Sequence, residues 1–348
     1  MEQQKRSRAE DSRALLEHEL RAFLGEDPRK PLAPFVQLVK EHGELELCFR
    51  GNSKREPHIS IYSNNHVIFS VCTSGKIIVS FHHARYCENW EEYFDILTET
   101  YRFNGSKDRR DARNHLDIGA LTRPLSGRQP LSYAQVNSLY ETVLKPMFRV
   151  YFEAAGKRGV PDYFKQGDLV NPRGKTEKMR QQEIYHAFTS LRDGYFFYDL
   201  EFAQRHGSRS EQRNDASNNK PDMQAVRFNA QGKPEKLVFV EVKSTAHAME
   251  GSSGLAEHFR KMRRYEKLEA RRREACQIMN QYAKLGLRGL SEQKHFSYDD
   301  FSSLGLEILL IFTDEAMKRW ESRAFDSERV QFTQIPYPKD PAIRLYSF

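Results

Sequence analysis

Residues 219–245 read NKPDMQAVRFNAQGKPEKLVFVEVKST, in which two short apolar runs are separated by a polar segment. The runs cover 223–228 and 237–242, and the segment 229–234 between them contains Asn, Gly and Pro. Because Asn and Gly tolerate a positive φ and Pro ends strand pairing, this composition predicts a β-hairpin. The second run is as apolar as a strand buried on both faces, although it ends in charged residues.

Three charged side chains are expected at one end of this hairpin. Side chains two residues apart in a strand share a face, so Glu241 and Lys243 project together while Val242 points into the opposite layer. Antiparallel pairing returns the end of the second strand to the start of the first, which brings Asp222 beside Glu241. Two neighbouring carboxylates repel each other unless a cation neutralises them, and such oxygen ligands suit Mg²⁺ or Mn²⁺. The stretch therefore predicts a metal site whose nearby lysine helps to polarise a phosphodiester.

This Pro-Asp…Glu-x-Lys arrangement resembles the PD-(D/E)xK nuclease superfamily, which includes restriction endonucleases, Holliday-junction resolvases and phage exonucleases. The resemblance covers roughly residues 172–290, about a third of the chain. It implies that Asp222 and Glu241 bind the metal together with the main-chain carbonyl of Val242. It also implies that Lys243 orients or activates the attacking water. The alternative for the same residues is an exposed hairpin with a surface ion pair.

The predicted elements around the hairpin follow the order typical of this superfamily, which is helix, strand, hairpin, helix and strand. Apolar periodicity and length decide each assignment. The strand that follows the second helix is apolar enough to be buried on both faces. The elements outside the hairpin and the second helix are a helix at 176–192 and strands at 195–202, 306–312, 330–335 and 343–346.

Members of the superfamily often supply one more acidic ligand from the first helix, and two glutamates are candidates here. Glu177 lies on the apolar face of the helix, but the helix dipole also favours a glutamate in the first turn. Glu183 lies at the edge of that face, and its separation from Gly194 resembles that of the helix glutamate in junction resolvases. We therefore expect Glu183 to be the helix ligand, with Glu177 second. A surface position is the alternative for either glutamate.

A strongly basic segment follows the hairpin. The sequence predicts one helix from about 255 to 284, with cations crowded into its first half and a broken apolar stripe. In the superfamily, the helix after the Glu-x-Lys strand flanks the substrate cleft, so the resemblance implies salt-sensitive binding of a nucleic-acid backbone. The alternative is a solvated helix with local glutamate partners. The residues expected to contact nucleic acid are Arg260, Lys261, Arg264, Lys267 and Arg271.

The N-terminal half predicts a different architecture. Helical periodicity indicates an amphipathic helix at 14–24, a helix at 89–103 and a long helix at 131–155 that Pro146 kinks. The segment 104–130 is rich in charged and turn-forming residues, which predicts a mobile connection. Short apolar runs separated by turn residues predict an antiparallel meander. Its strands are expected at 45–49, 58–62, 67–71 and 76–81.

The composition of the whole chain sets broader limits. It has 348 residues, of which 39% are apolar and 30% charged, and its formal net charge is +7. The length predicts two domains, at 1–155 and 156–348. No apolar run is long enough to span a membrane, no secretion signal is visible, and four cysteines do not suggest a disulfide framework. We therefore expect a cytoplasmic protein without a membrane partner, and the positive charge fits a polyanionic one.

These observations predict an α+β N-terminal domain followed by an α/β restriction-endonuclease-like core, a mixed β-sheet flanked by helices. The expected function is Mg²⁺-dependent or Mn²⁺-dependent phosphodiester hydrolysis by a DNA endonuclease, with bacterial restriction or anti-phage defence suggested by fold analogy alone. One alternative is a catalytically silent nucleic-acid-binding or regulatory module on a nuclease-like scaffold. Another is a nuclease acting on RNA or branched DNA. A homodimer, or a regulatory protein bound through the N-terminal domain, is a further expectation.

Overall fold

The protein is represented by a computed structural model, which divides it into two compact units. Unit 1 comprises Met1–Ser12, Asn171–Asn280 and His295–Phe348, and unit 2 comprises Arg13–Val170 and Gln281–Lys294. The residues that the structure describes are 12–27, 32–51, 56–63, 66–80, 115–117, 132–146, 177–200, 221–243, 258, 262, 265, 267–312, 333–336 and 344–347.

Unit 2 contains the meander that the sequence predicts. Neighbouring strands pair antiparallel, in the order in which they occur along the chain. Its strands are β1 (Leu45–Arg50), β2 (His58–Ser63), β3 (His66–Cys72), β4 (Ile77–Ser80) and β5 (His115–Asp117). The segment 104–130 was predicted to be a mobile connection, and the fifth strand corrects this prediction for residues 115–117. These residues pair with the edge of β4, where Val79 lies opposite Leu116.

Three helices of unit 2 fall in the described residues, and all of them have buried apolar faces. They are α1 (Glu17–Leu24), α2 (Ala33–Glu41) and α3 (Tyr133–Leu139). A π-helical turn, Tyr140–Leu144, continues α3 and ends two residues before Pro146. The predicted helix at 89–103 and the part of the long helix after Pro146 lie outside the described residues.

Unit 2 also includes Gln281–Lys294, which the sequence-based boundaries placed in the C-terminal domain. The Gln281 side chain exchanges two hydrogen bonds with the main chain of Leu15, at 3.1 and 2.6 Å. The Tyr282 hydroxyl donates to the carbonyl oxygen of Leu47 at 2.6 Å. Since these contacts tie the segment to α1 and β1, the boundary is discontinuous in sequence.

Unit 1 is built on a six-stranded mixed sheet. Its strands are β6 (Gly194–Leu200), β7 (Met223–Phe228), β8 (Pro234–Lys243), β9 (Gly305–Phe312), β10 (Thr333–Pro336) and β11 (Arg344–Ser347). The order across the sheet is β10-β11-β9-β8-β7-β6, and β8 with β9 is the parallel pair among otherwise antiparallel neighbours. The helices of unit 1 are α4 (Glu177–Ala187), α5 (Leu268–Lys284, whose last four residues belong to unit 2) and α6 (Tyr298–Phe301).

The hairpin formed by β7 and β8 confirms the prediction made from residues 219–245. Asn229 shapes its turn, since its carbonyl oxygen accepts from the Gly232 amide and its side chain accepts from the Lys233 amide, both at 2.9 Å. Gly232 has a φ of +75°, and a β-carbon there would lie 3.2 Å from the carbonyl oxygen of Leu191. Glycine therefore suits this position both in backbone conformation and in space.

The two sheets and their helices make the chain an α+β protein. The apolar core of unit 1 lies along β8 and β9, where the runs 237–240 and 308–311 are buried. This agrees with the expectation that the strand at 306–312 is covered on both faces. Within the described residues, no helix has the length and apolar character needed to cross a membrane.

Candidate functional site

The hairpin brings Asp222 to the charged end of β8. The register pairs Met223 with Val240, so the position before Met223 stands across from Glu241. The Asp222 carboxylate accepts a hydrogen bond from the main-chain amide of Val242 through Oδ2, at 2.8 Å. Asp222 is half-buried. The two acidic residues therefore lie at one end of the sheet.

Glu241 is the centre of the charged cluster and is only 1% exposed. Its Oε1 atom is bonded to both Lys243 Nζ, at 2.5 Å, and His258 Nδ1, at 2.6 Å. Its Oε2 atom is also buried and has no hydrogen-bond partner among the residues that the structure describes. The carboxylate is thus used unequally, with two donors on one oxygen and none on the other.

The pKa of Glu241 reflects competing effects of this environment. Burial raises the pKa of the carboxyl group, but the Lys243 ammonium and the hydrogen bond from His258 more than offset it and hold the pKa below the ordinary 4.5. Glu241 is therefore ionised at neutral pH. Because a carboxylate only accepts hydrogen bonds, the short contact to His258 requires a proton on Nδ1 of that ring.

His258 is a site residue that sequence reasoning missed. His258 and Met262 are helical, and together with Tyr265 they recur at helical spacing, four and then three residues apart. Met262 is fully buried, and the Tyr265 ring packs edge-on against Phe239 at 5.1 Å. Phe239 is two residues before Glu241 and shares its face of the sheet. The sequence did contain a signal for this residue, because the polar His258 stands at helical spacing from the buried positions of the segment.

A buried polar network lies behind the cluster on the same face. Gln224 is fully buried, accepts a hydrogen bond from the Tyr198 hydroxyl at 3.0 Å and contacts Asp199 at 3.5 Å. Burial raises the pKa of Tyr198 well above its ordinary value, and the nearby Glu274 adds to this effect. The Tyr198 hydroxyl consequently stays a neutral hydrogen-bond donor at neutral pH.

The predicted third carboxylate does not join this cluster. Glu183 is half-buried on α4, and the side chain of Glu177 lies outside the described residues. Just after α4, the Phe188 ring stacks on Phe197 at 4.7 Å, on the sheet face opposite to Glu241. Within the described ranges, no group of three or more His, Cys, Asp or Glu side chains is arranged to hold a metal ion. The role of Glu183 stays a prediction.

The surroundings of Glu241 nevertheless fit a hard divalent cation. Its unpartnered Oε2 is a buried anionic oxygen, which such a cation would satisfy. Asp222 supplies a second, half-buried carboxylate nearby, and Val242 lies between Glu241 and Lys243 on β8. Asp222 and Glu241 together offer two carboxylates as oxygen donors, and the part of the Val242 carbonyl stays a prediction.

The basic segment differs from its prediction in two respects. The predicted single helix from 255 to 284 is interrupted, because Tyr265 and Lys267 are not helical and α5 begins at Leu268. Arg271 is 1% exposed and pairs with the fully buried Glu274 at 2.6 Å, so its assignment to an exposed nucleic-acid surface is wrong. The i, i+3 spacing allows the two charges to neutralise each other inside the protein.

Of the other predicted nucleic-acid contacts, Lys267 is exposed, as that role requires. The side chains of Arg260, Lys261 and Arg264 lie outside the described residues. Their contribution to binding stays a prediction.

Comparison with known proteins adds no relative from which a role for these residues can be transferred. No protein-family model matches the chain, and neither a curated protein nor a solved structure is detectably similar to it.

Proposed function

We propose that this protein is a metal-dependent nuclease that hydrolyses phosphodiester bonds, with DNA as the expected substrate. The observation that supports this most directly is the half-satisfied carboxylate of Glu241, whose Oε2 is buried without a partner among the described residues beside the Lys243 ammonium. Leaving a buried polar atom unpaired costs about 1–3 kcal/mol, and more when the group is charged, and a cation bound at Oε2 would remove that cost. In this proposal the sheet of unit 1 is a restriction-endonuclease-like core.

Each residue has a defined part in the proposed reaction. Asp222 and Glu241, with the carbonyl of Val242, would hold Mg²⁺ or Mn²⁺, which supplies Lewis acidity and makes a bound water more acidic. The Lys243 ammonium lies beside the Glu241 carboxylate and would place a cation next to the reacting phosphate. It would orient the attacking water and offset the negative charge that grows in the transition state. Lys267 would contact the nucleic-acid backbone.

The test is a cleavage assay with the purified full-length protein. Supercoiled plasmid, linear duplex DNA, single-stranded DNA and RNA are incubated with Mg²⁺, Mn²⁺ or EDTA. The variant is Lys243→Ala, and the matched control is Lys233→Ala, because Lys233 is exposed in the turn at the opposite end of the same hairpin. We expect metal-dependent cutting by the wild type and by Lys233→Ala but not by Lys243→Ala.

The pattern of products separates the alternatives. Cutting of RNA alone would replace DNA as the substrate while keeping the reaction. Undiminished cutting by Lys243→Ala would refute the role of Lys243. Absence of cutting on every substrate, together with retained nucleic-acid binding, would favour a catalytically silent binding module instead.

A further inference from the structure

The orientation of Glu241 depends on an asymmetry in its hydrogen bonds. Both donors, Lys243 Nζ and His258 Nδ1, contact the same oxygen, Oε1. A lysine alone does not enforce this arrangement, because its ammonium sits on a flexible four-carbon stem and can bridge either carboxylate oxygen. The imidazole ring is short and rigid, and its Nδ1 lies 2.6 Å from Oε1. His258 therefore discriminates between the two oxygens where Lys243 does not.

The segment that carries His258 is anchored on the sheet. Met262, one helical turn further along, has no solvent exposure. Tyr265 is anchored by its edge-on contact with Phe239, whose side chain is on the same sheet face as Glu241. The His258 side chain is 27% exposed, so it lies at the rim of the cluster rather than in the core. These contacts fix the position of the segment without involving the metal-binding oxygens.

We infer that His258 is a positioning residue, which holds Glu241 on Oε1 and thereby keeps Oε2 available to a divalent cation. This inference rests on the proposed function, since it takes Glu241 as a metal ligand. A group that orients a metal ligand from outside the coordination shell typically contributes about 10-fold to 100-fold to metal affinity. Loss of His258 is therefore expected to weaken metal binding before any substrate is present.

The experiment measures binding of Mn²⁺ to the full-length protein without substrate, by the electron paramagnetic resonance signal of free Mn²⁺ and by calorimetry. The variants are Glu241→Gln, His258→Ala and His258→Asn, in which the Asn amide nitrogen takes the place of Nδ1 as a donor. His295→Ala is the matched control, because His295 is an exposed histidine of the same unit. Circular dichroism of each variant checks that it is folded.

We expect one Mn²⁺ site that Glu241→Gln abolishes and that His258→Ala weakens by about 10-fold to 100-fold. His258→Asn should restore most of the affinity, and His295→Ala should leave it unchanged. Wild-type affinity in a folded His258→Ala variant would overturn the inference and leave the nuclease proposal standing. Equal losses in His258→Ala and His258→Asn would also overturn it, since the donor would then not be the property that matters.

The outcomes also separate this inference from the proposed function. The predicted order of affinities in a protein that cleaves no substrate would support the positioning role and refute the nuclease. Mn²⁺ binding that is absent, or that Glu241→Gln leaves unchanged, would overturn both the inference and the proposed metal ligand.

Discussion

Glu241 and Glu307 lie on adjacent strands of one sheet and are almost completely buried, yet their carboxylates are used differently. Glu307 is 4% exposed, and both of its oxygens have partners. Its Oε1 accepts from the Tyr195 hydroxyl at 2.6 Å, and its Oε2 pairs with Arg227 at 2.6 Å. Glu241 has both of its donors on Oε1 and none on Oε2 among the described residues.

This difference distinguishes a carboxylate that stabilises the fold, that of Glu307, from one that is suited to bind a ligand, that of Glu241. A buried carboxylate with both oxygens paired is satisfied by the protein itself. A buried carboxylate with one oxygen unpaired keeps a cost that folding alone does not remove. Residues that accept such a cost are expected at functional sites more than in ordinary cores. The comparison therefore supplies a matched internal control for every test of Glu241.

The largest expected effect is on catalysis. Glu241→Gln removes the proposed anionic metal ligand and should lower the rate of the proposed metal-dependent cleavage by roughly 10³-fold, which corresponds to about 4 kcal/mol of lost transition-state stabilisation. Glu307→Gln changes the other buried glutamate in the same way and should stay within about 3-fold of the wild type, or about 0.7 kcal/mol. Initial rates of plasmid cleavage measure both. Similar losses in the two variants would show that buried charge in this sheet, and not the position of Glu241, controls the rate.

A smaller effect is expected on stability in the absence of metal, and here Glu307 should matter more than Glu241. Glu307→Gln turns an amide donor toward Tyr195 or Arg227 and should lower the free energy of unfolding by about 2 kcal/mol. This value allows for the side chain of Arg227 being 32% exposed, which weakens its pairing.

The matched change at the other glutamate is Glu241→Leu with Lys243→Met. Replacing a buried ion pair by apolar groups of similar volume is often neutral or stabilising by about 1–4 kcal/mol. We therefore expect the double variant to unfold at the same urea concentration as the wild type or at a higher one. If it loses more stability than Glu307→Gln, the charges at Glu241 contribute to folding and the contrast between the two glutamates fails.

The sequence predicted the strands of both units well, for a simple physical reason. The runs before Gly232 and after Pro234 are short, apolar and separated by turn residues, so few other local structures suit them. The same reasoning placed Asp222 and Glu241 at one end of the hairpin, because pairing and the alternation of side chains follow directly from strand geometry. The sequence did not predict strand β5, which contains Leu116, because a strand of three residues is too short to show a periodic pattern.

Charged residues were predicted less well, because composition does not reveal which charges are buried. Arg271 stands in a run of basic residues that suggests a solvated or nucleic-acid-binding face. Its burial depends on Glu274 lying one turn away on the covered side of α5. His258 was missed for a related reason, since its contact with Glu241 spans 17 residues and requires a tertiary arrangement. Local patterns specify elements, whereas such pairings depend on how the elements pack.

The smallest expected effect concerns the hydroxyl group that completes the pairing of Glu307. Burial, with the Glu307 carboxylate second, raises the pKa of Tyr195 above its ordinary value of 10.0. A pKa that is higher in the folded state than in the unfolded state contributes stability that is complete below the unfolded value. That stability is lost as the pH rises through the folded value. Tyr195→Phe, which has no hydroxyl, should therefore be less stable than the wild type by about 1 kcal/mol at neutral pH.

The difference between the wild type and Tyr195→Phe should shrink above pH 10, because the Tyr195 hydroxyl ionises there in the unfolded chain, whereas its raised pKa keeps it protonated in the folded protein. Urea unfolding of both proteins at pH 7, 9, 10 and 11 measures the difference directly. A gap that stays constant across this range would mean that the pKa of Tyr195 is not raised in the folded protein, as it should be for a buried hydroxyl beside the Glu307 carboxylate. Glu307 would then have a weakly paired oxygen of its own and would no longer differ in kind from Glu241. A gap that closes in the stated direction would keep Glu307 as a glutamate whose two oxygens are satisfied by the protein, in contrast to Glu241, whose Oε2 has no hydrogen-bond partner among the described residues.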